Sequence, residues 1–95
     1  MSVKILSRQH RTGIYKATRC RAHNGKIAEE SQYSIVRVQI GHEPAFNVPV
    51  CRVCDQMEDK DLINAMILES HRHKAENANP GRFTELMAEQ AGPSS

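Results

Sequence analysis

Two short pairs of metal-donor residues constrain this chain more than anything else in it. Cys20-x2-His23 and Cys51-x2-Cys54 stand 27 residues apart, and all three cysteines of the chain fall inside the pattern. A two-residue spacing lets a tight turn present both donors to one ion, and four thiolate and imidazole donors make a complete tetrahedral set for zinc. Cys20, His23, Cys51 and Cys54 are therefore the expected ligands of one structural Zn2+. A complete set leaves no open position for water or substrate, so such an ion braces a fold and performs no chemistry itself.

The composition explains why a brace is needed. The chain has 95 residues, one domain by size, with no Trp and only 19 residues of the Val, Ile, Leu and Phe types. A chain this short buries roughly 60% of the surface its unfolded form exposes, and such chains usually need a metal, disulfides or a partner. Structural zinc supplies roughly 10–16 kcal/mol of apparent binding energy at neutral pH. That is comparable to the roughly 5–15 kcal/mol that holds a whole domain together. Three cysteines cannot all pair within the chain, no apolar run is long enough for a bilayer, and the start Met1-Ser2-Val3-Lys4 lacks an apolar leader. A reducing, cytoplasmic setting without membrane contact is expected.

The rest of the chain reads as α+β, in one domain over 1–90. Val3 to Leu6 and Thr12 to Thr18 carry weak alternation and suggest two short N-terminal strands, paired as a hairpin, in a basic arm over 1–19. Asn24-Gly25 is a tight-turn dipeptide. Tyr33 to Ile40 is the clearest strand, with Val36, Val38 and Ile40 on one face and Arg37 and Gln39 on the other. Gly41-His42-Glu43-Pro44 turns the chain, and Phe46, Val48 and Val50 form the return strand, which Pro49 places at a sheet edge. A long helix is expected from Gln56 to Ala75, capped by Asp55 with Glu58 three residues on, and carrying Leu62, Ile63, Met66 and Ile67 as its apolar stripe. Phe83, Leu86 and Met87 have the spacing of a short second helix within 80–90, and residues 91–95 read as a frayed tail.

Other uses of the same residues fit less well. A Cys51, Cys54, His71 and His73 set would place His71 roughly 24 Å along a helix from its start, too far to share an ion. Cys51-x2-Cys54 at a helix start could serve as a redox dithiol, but that reading leaves Cys20 and His23 without a role.

A knuckle, a β-hairpin and a second ligand pair opening a helix, over residues 20–75, resembles the treble-clef class of zinc fingers. Within that class, Phe46-Asn47-Val48-Pro49-Val50-Cys51-Arg52-Val53-Cys54-Asp55 is similar to the cysteine-pair segment of zinc-stabilised HNH endonucleases, with His42-Glu43 upstream. In that family an asparagine stands five residues before the first cysteine, where this chain has Phe46; Asn47 is one position later. The family's histidine after the second cysteine is Asp55 here. The resemblance implies the zinc-stapled fold without the catalytic residues, and no enzyme activity is expected.

Charge points to partners. Lys4, Arg8, Arg11, Lys16, Arg19, Arg21 and Lys26 give residues 1–26 seven bases and no acid, whereas the remainder holds six bases and eleven acids. A basic arm on an acidic body suggests association with nucleic acid or an acidic protein surface. The expected contact residues are Arg8, Arg11, Lys16, Arg19, Arg21 and Arg52, the last two lying inside the ligand turns. The alternative is an adaptor or inhibitor that offers Ile63, Met66, Ile67, Phe83, Leu86 and Met87 as an apolar seam to a partner or a second copy.

Overall fold

The computed structural model describes residues 3–13, 18–27 and 31–90. Among these residues the chain forms a three-stranded antiparallel sheet, a small two-stranded hairpin and two α-helices. The strands are β1 (Val3–Thr12), β2 (Thr18–Arg19), β3 (Lys26–Ile27), β4 (Gln32–Ile40) and β5 (Phe46–Cys51). The sheet order is β1-β4-β5. The chain is thus a small α+β domain.

β4 takes the centre because its alternation is the strongest. Ser34, Val36, Val38 and Ile40 are all buried on one face, and Val48 and Val50 of β5 lie beside Val36 and Ser34 on that face. The Gly41 turn, with φ of 56°, returns the chain into β5. Pro49 donates no backbone hydrogen bond, and its strand stands at the sheet edge as expected.

The N-terminal pairing differs from the sequence expectation. There is one strand from Val3 to Thr12 rather than a hairpin of two short ones, and it pairs with the distant β4, from Val3 with Ile40 to Thr12 with Gln32. The register shifts between Ile5 and Ser7, so Leu6 is the extra residue of a β-bulge and is exposed. A single inserted residue switches every later side chain to the opposite face. Val3 and Ile5 therefore point to the core, but beyond the bulge Arg8 and His10 take the core face while Ser7, Gln9 and Arg11 take the other. Thr18–Arg19 belongs to the second hairpin, β2 with β3, and residues 14–17 between the two strands lie outside the described residues.

The long helix begins later than expected. A single 3-10 turn, Cys54–Gln56, is followed by extended backbone at Met57, and α1 runs Asp59–Glu76. Asp55 does not cap it. The Asp55 carboxylate is turned into the sheet, where Arg8 and Ser34 hold it, and the residue at the cap, Glu58, makes no side-chain capping bond. Leu62, Met66 and Ile67 of α1 are buried against the sheet, with Ile63 partly so.

The second helix, α2 (Arg82–Ala88), buries Phe83, Leu86 and Met87. Phe83 meets Phe46 edge to face, with ring centroids 5.3 Å apart. The side chains that could have formed an apolar seam for a partner all belong to the core or pack against it. No helix among the described residues is long and apolar enough to cross a membrane. The tail read over 91–95 lies outside the described residues.

Candidate metal centre

Local features of the chain bring the two donor pairs together. The hairpin of β2 and β3 closes the first knuckle, in which the Cys20 N–H donates to the Gly25 carbonyl at 2.9 Å and the Asn24 N–H to the Cys20 carbonyl at 2.7 Å. Asn24 adopts the left-handed conformation, φ 59°, that Asn tolerates better than most residues. Gly25 follows because a Cβ there would run into the His23 ring. The knuckle then docks on the free edge of β5 through the Arg21 N–H, which donates to the Pro49 carbonyl at 3.0 Å. β5 ends at Cys51, and the 3-10 turn carries Cys54 back to the same point.

The result is a cluster of Cys20, His23, Cys51 and Cys54 whose donor atoms all lie within 4.8 Å of one another, and which could hold a metal ion. The three cysteines form no disulfide. Cys20 and Cys54 are buried, Cys51 is half-buried and His23 is exposed. Backbone amides face the sulfurs: the Ala22 N–H points at Cys20 Sγ at 3.4 Å and the Cys54 N–H at Cys51 Sγ at 3.5 Å. Amides directed at sulfur stabilise its anionic form, which is the form that binds metal.

The cysteines differ in readiness. Burial raises the Cys51 thiol, but the Cys54 amide, the His23 ring and the two neighbouring thiols outweigh it and bring Cys51 down to about 7. Cys54 is pushed the other way, by burial first and then by hydrogen bonds and charge from Cys51 and Cys20. Such mutual dependence is what four donors around one point produce. The His23 ring accepts at Nδ1 from the Gly25 N–H at 2.8 Å, so its neutral form carries the proton on Nε2, which faces Cys51 Sγ at 3.1 Å. An ion bound through this ring takes the place of one of those two hydrogen bonds.

His71 and His73, the competing donors, sit on α1 and are not part of the cluster; His71 lies 3.3 Å from the Gln90 carbonyl. Asp55, at the position of the histidine in the HNH-like segment, is tied up elsewhere. Its carboxylate accepts from Ser34 Oγ at 2.6 Å and from Arg8 at 3.3 Å, with His10 Nδ1 at 3.5 Å.

The basic residues separate into two groups. Arg8 is half-buried and already paired: its guanidinium donates to the Asp55 carbonyl and to Asp59 Oδ1, both at 2.6 Å. The bulge turns Arg8 inward onto two acids. Arg21 is exposed but lies 5.5 Å over the Phe83 ring, with one nitrogen 3.3 Å from Thr84 Oγ1. Arg19 donates to the Asn24 carbonyl. Arg11 and Arg52 are exposed, and neither meets an acid among the described residues. Lys16 lies outside the described residues. Two exposed bases were missing from the expected set: Lys4, opposite Gln39, and Arg37, opposite Ser7, share the sheet face of Arg11. The alternation of Arg37 and Gln39 against Val36 and Val38 was the signal that could have found Arg37; Lys4 reaches this face only through the pairing of β1 with β4.

No family model matches the chain, and neither the curated proteins nor the solved structures give a match.

Proposed function

We propose that this protein is a small structural-zinc module of treble-clef type that associates with nucleic acid and is not an enzyme. The observation that carries the zinc reading is the convergence of three thiols and one imidazole on one point. Zn–S bonds of about 2.3 Å and Zn–N bonds of about 2.0–2.1 Å put tetrahedral neighbours roughly 3.5–3.8 Å apart, so the four donors need only small movements to close. Thiolate and imidazole are soft to borderline donors that suit zinc better than magnesium or calcium. Four protein ligands leave no site for a metal-bound water, so the ion holds the knuckle to β5 and the start of the helical region.

The nucleic-acid reading rests on charge. Seven bases and no acid lie in the first 26 residues, and Lys4 and Arg11 among them remain exposed without an acidic partner among the described residues. Unpaired surface bases bind phosphates with counterion release, which makes affinity fall steeply with salt. The test is a fluorescence-anisotropy titration of zinc-loaded protein against labelled mixed-sequence DNA and RNA at two salt concentrations. Saturable binding that weakens with salt is expected; no binding at low salt would overturn the reading.

A further inference from the structure

The two faces of the β1-β4-β5 sheet are unlike. The face under the helices holds every fully buried residue of β4. The other face consists of Lys4, Ser7, Gln9 and Arg11 on β1, Tyr33, Ile35, Arg37 and Gln39 on β4, and Asn47, Pro49 and Cys51 on β5. None of these residues is buried, and none is acidic. Five acids of the described residues pair with other bases: Asp55 and Asp59 with Arg8, Glu69 and Glu76 with Arg72, Glu43 with Arg82. Among the described residues, Lys4, Arg11 and Arg37 form a stripe of positive charge without an acidic partner. From Lys4 to Arg11 it spans roughly 20 Å at about 3.3 Å per paired residue.

We propose that this sheet face is the binding platform for single-stranded nucleic acid, with Lys4, Arg11 and Arg37 on phosphates and the exposed part of Tyr33, a half-buried ring that also packs against the core, against a base. The proposal rests on the nucleic-acid reading above and names its surface and its strandedness. The Leu6 bulge is what builds the platform. It turns Arg8 inward to its acids and leaves Arg11 outward, opposite Tyr33. The amide and hydroxyl side chains between the bases, Ser7, Gln9, Gln39 and Asn47, can hydrogen-bond to base edges or sugars. Single strands bind where positive charge tracks the backbone and an aromatic ring offers a stacking surface. A duplex is disfavoured because its major groove is read by an inserted helix or ribbon, whereas this surface is the broad face of a sheet.

The experiment measures binding of the full-length zinc-loaded protein to a labelled mixed-sequence single strand and to the matching duplex across a salt series. Three phosphate contacts on a single strand give a slope of log K against log salt of about −2. Arg37→Gln is expected to weaken binding and to flatten that slope by about 0.7. Lys60→Gln, on α1 behind the sheet, is expected to change neither. Tyr33→Leu, with metal content checked, is expected to weaken binding at least about fivefold while leaving the slope alone. Equal or tighter binding of the duplex would overturn the proposal. So would an Arg37→Gln variant that binds like Lys60→Gln, although the nucleic-acid reading would then stand with its site elsewhere. Binding to polyglutamate but to no nucleic acid would overturn both.

Discussion

On its helix side the sheet is closed by Leu62, Met66 and Met87, all fully buried, with Phe83 edge to face with Phe46. At the β5 edge the closure is of another kind. The knuckle from Thr18 to Ile27 contributes only Ala22 and Ile27 as buried side chains besides Cys20, and its two strands are two residues long. It is held by one backbone bond to Pro49, by Arg21 over Phe83, and by the donor cluster. Burial spreads stability over many side chains, each contributing a fraction. Coordination concentrates it in four donors, so that losing one loses the ion. A hairpin this short has no independent stability, and on the proposed zinc reading its place in the fold depends on the metal.

The largest expected effect therefore comes from the ligands. Cys54→Ser should abolish stoichiometric metal binding and leave no cooperative thermal transition in circular dichroism. Acid should act on the same region. The folded knuckle favours the Cys51 thiolate, so its contribution is fully present above the ordinary thiol value of 9.0 and is lost as pH falls from there through about 7. Metal retention followed by mass spectrometry should decline on acidification, because protons compete for the same donors.

The core side should respond differently. Leu62→Ala removes a fully buried side chain and should cost about 2–5 kcal/mol in urea denaturation. Bound metal should remain at one per chain. If Leu62→Ala instead released the metal at native temperatures, the donor cluster would itself depend on core packing and the distinction would fail.

Asp55 links the regions and should give an intermediate effect. Its replacement by Ala leaves Arg8 without its inner partner and the Ser34 hydroxyl without its acceptor, at a cost of about 1–3 kcal/mol. Replacing Arg8 and Asp55 together by leucine should cost less than Asp55→Ala alone, since no stranded charge remains. The smallest effect belongs to Arg82→Ala. It breaks a surface pair with Glu43 and should change stability by less than about 1 kcal/mol, and less still at high salt.

What was legible in the sequence followed from local rules. The ligand pairs were readable because two-residue spacing is itself the geometry of a knuckle. β4, β5 and the apolar stripe of α1 were readable because their periodicities are unbroken. β1 was not, because its alternation fails at Leu6, and a bulge is invisible until the partner strand fixes the register. Asp55 has the type and spacing of a helix cap. It lost that role to a contact 47 residues away, with Arg8, which no local rule could weigh. The open basic face was half legible: Arg37 was placed opposite the apolar residues of its strand, but Lys4 and Arg11 join it only through the long-range pairing of β1 with β4.

The most direct test of the account is the metal content of protein purified without added metal or chelator, with circular dichroism recorded before and after chelation. One zinc per chain, with the folded spectrum lost on chelation and restored by added zinc, is the expected result. A metal-free chain that keeps its spectrum and its thermal transition would contradict the account, because the knuckle would then hold to β5 without an ion.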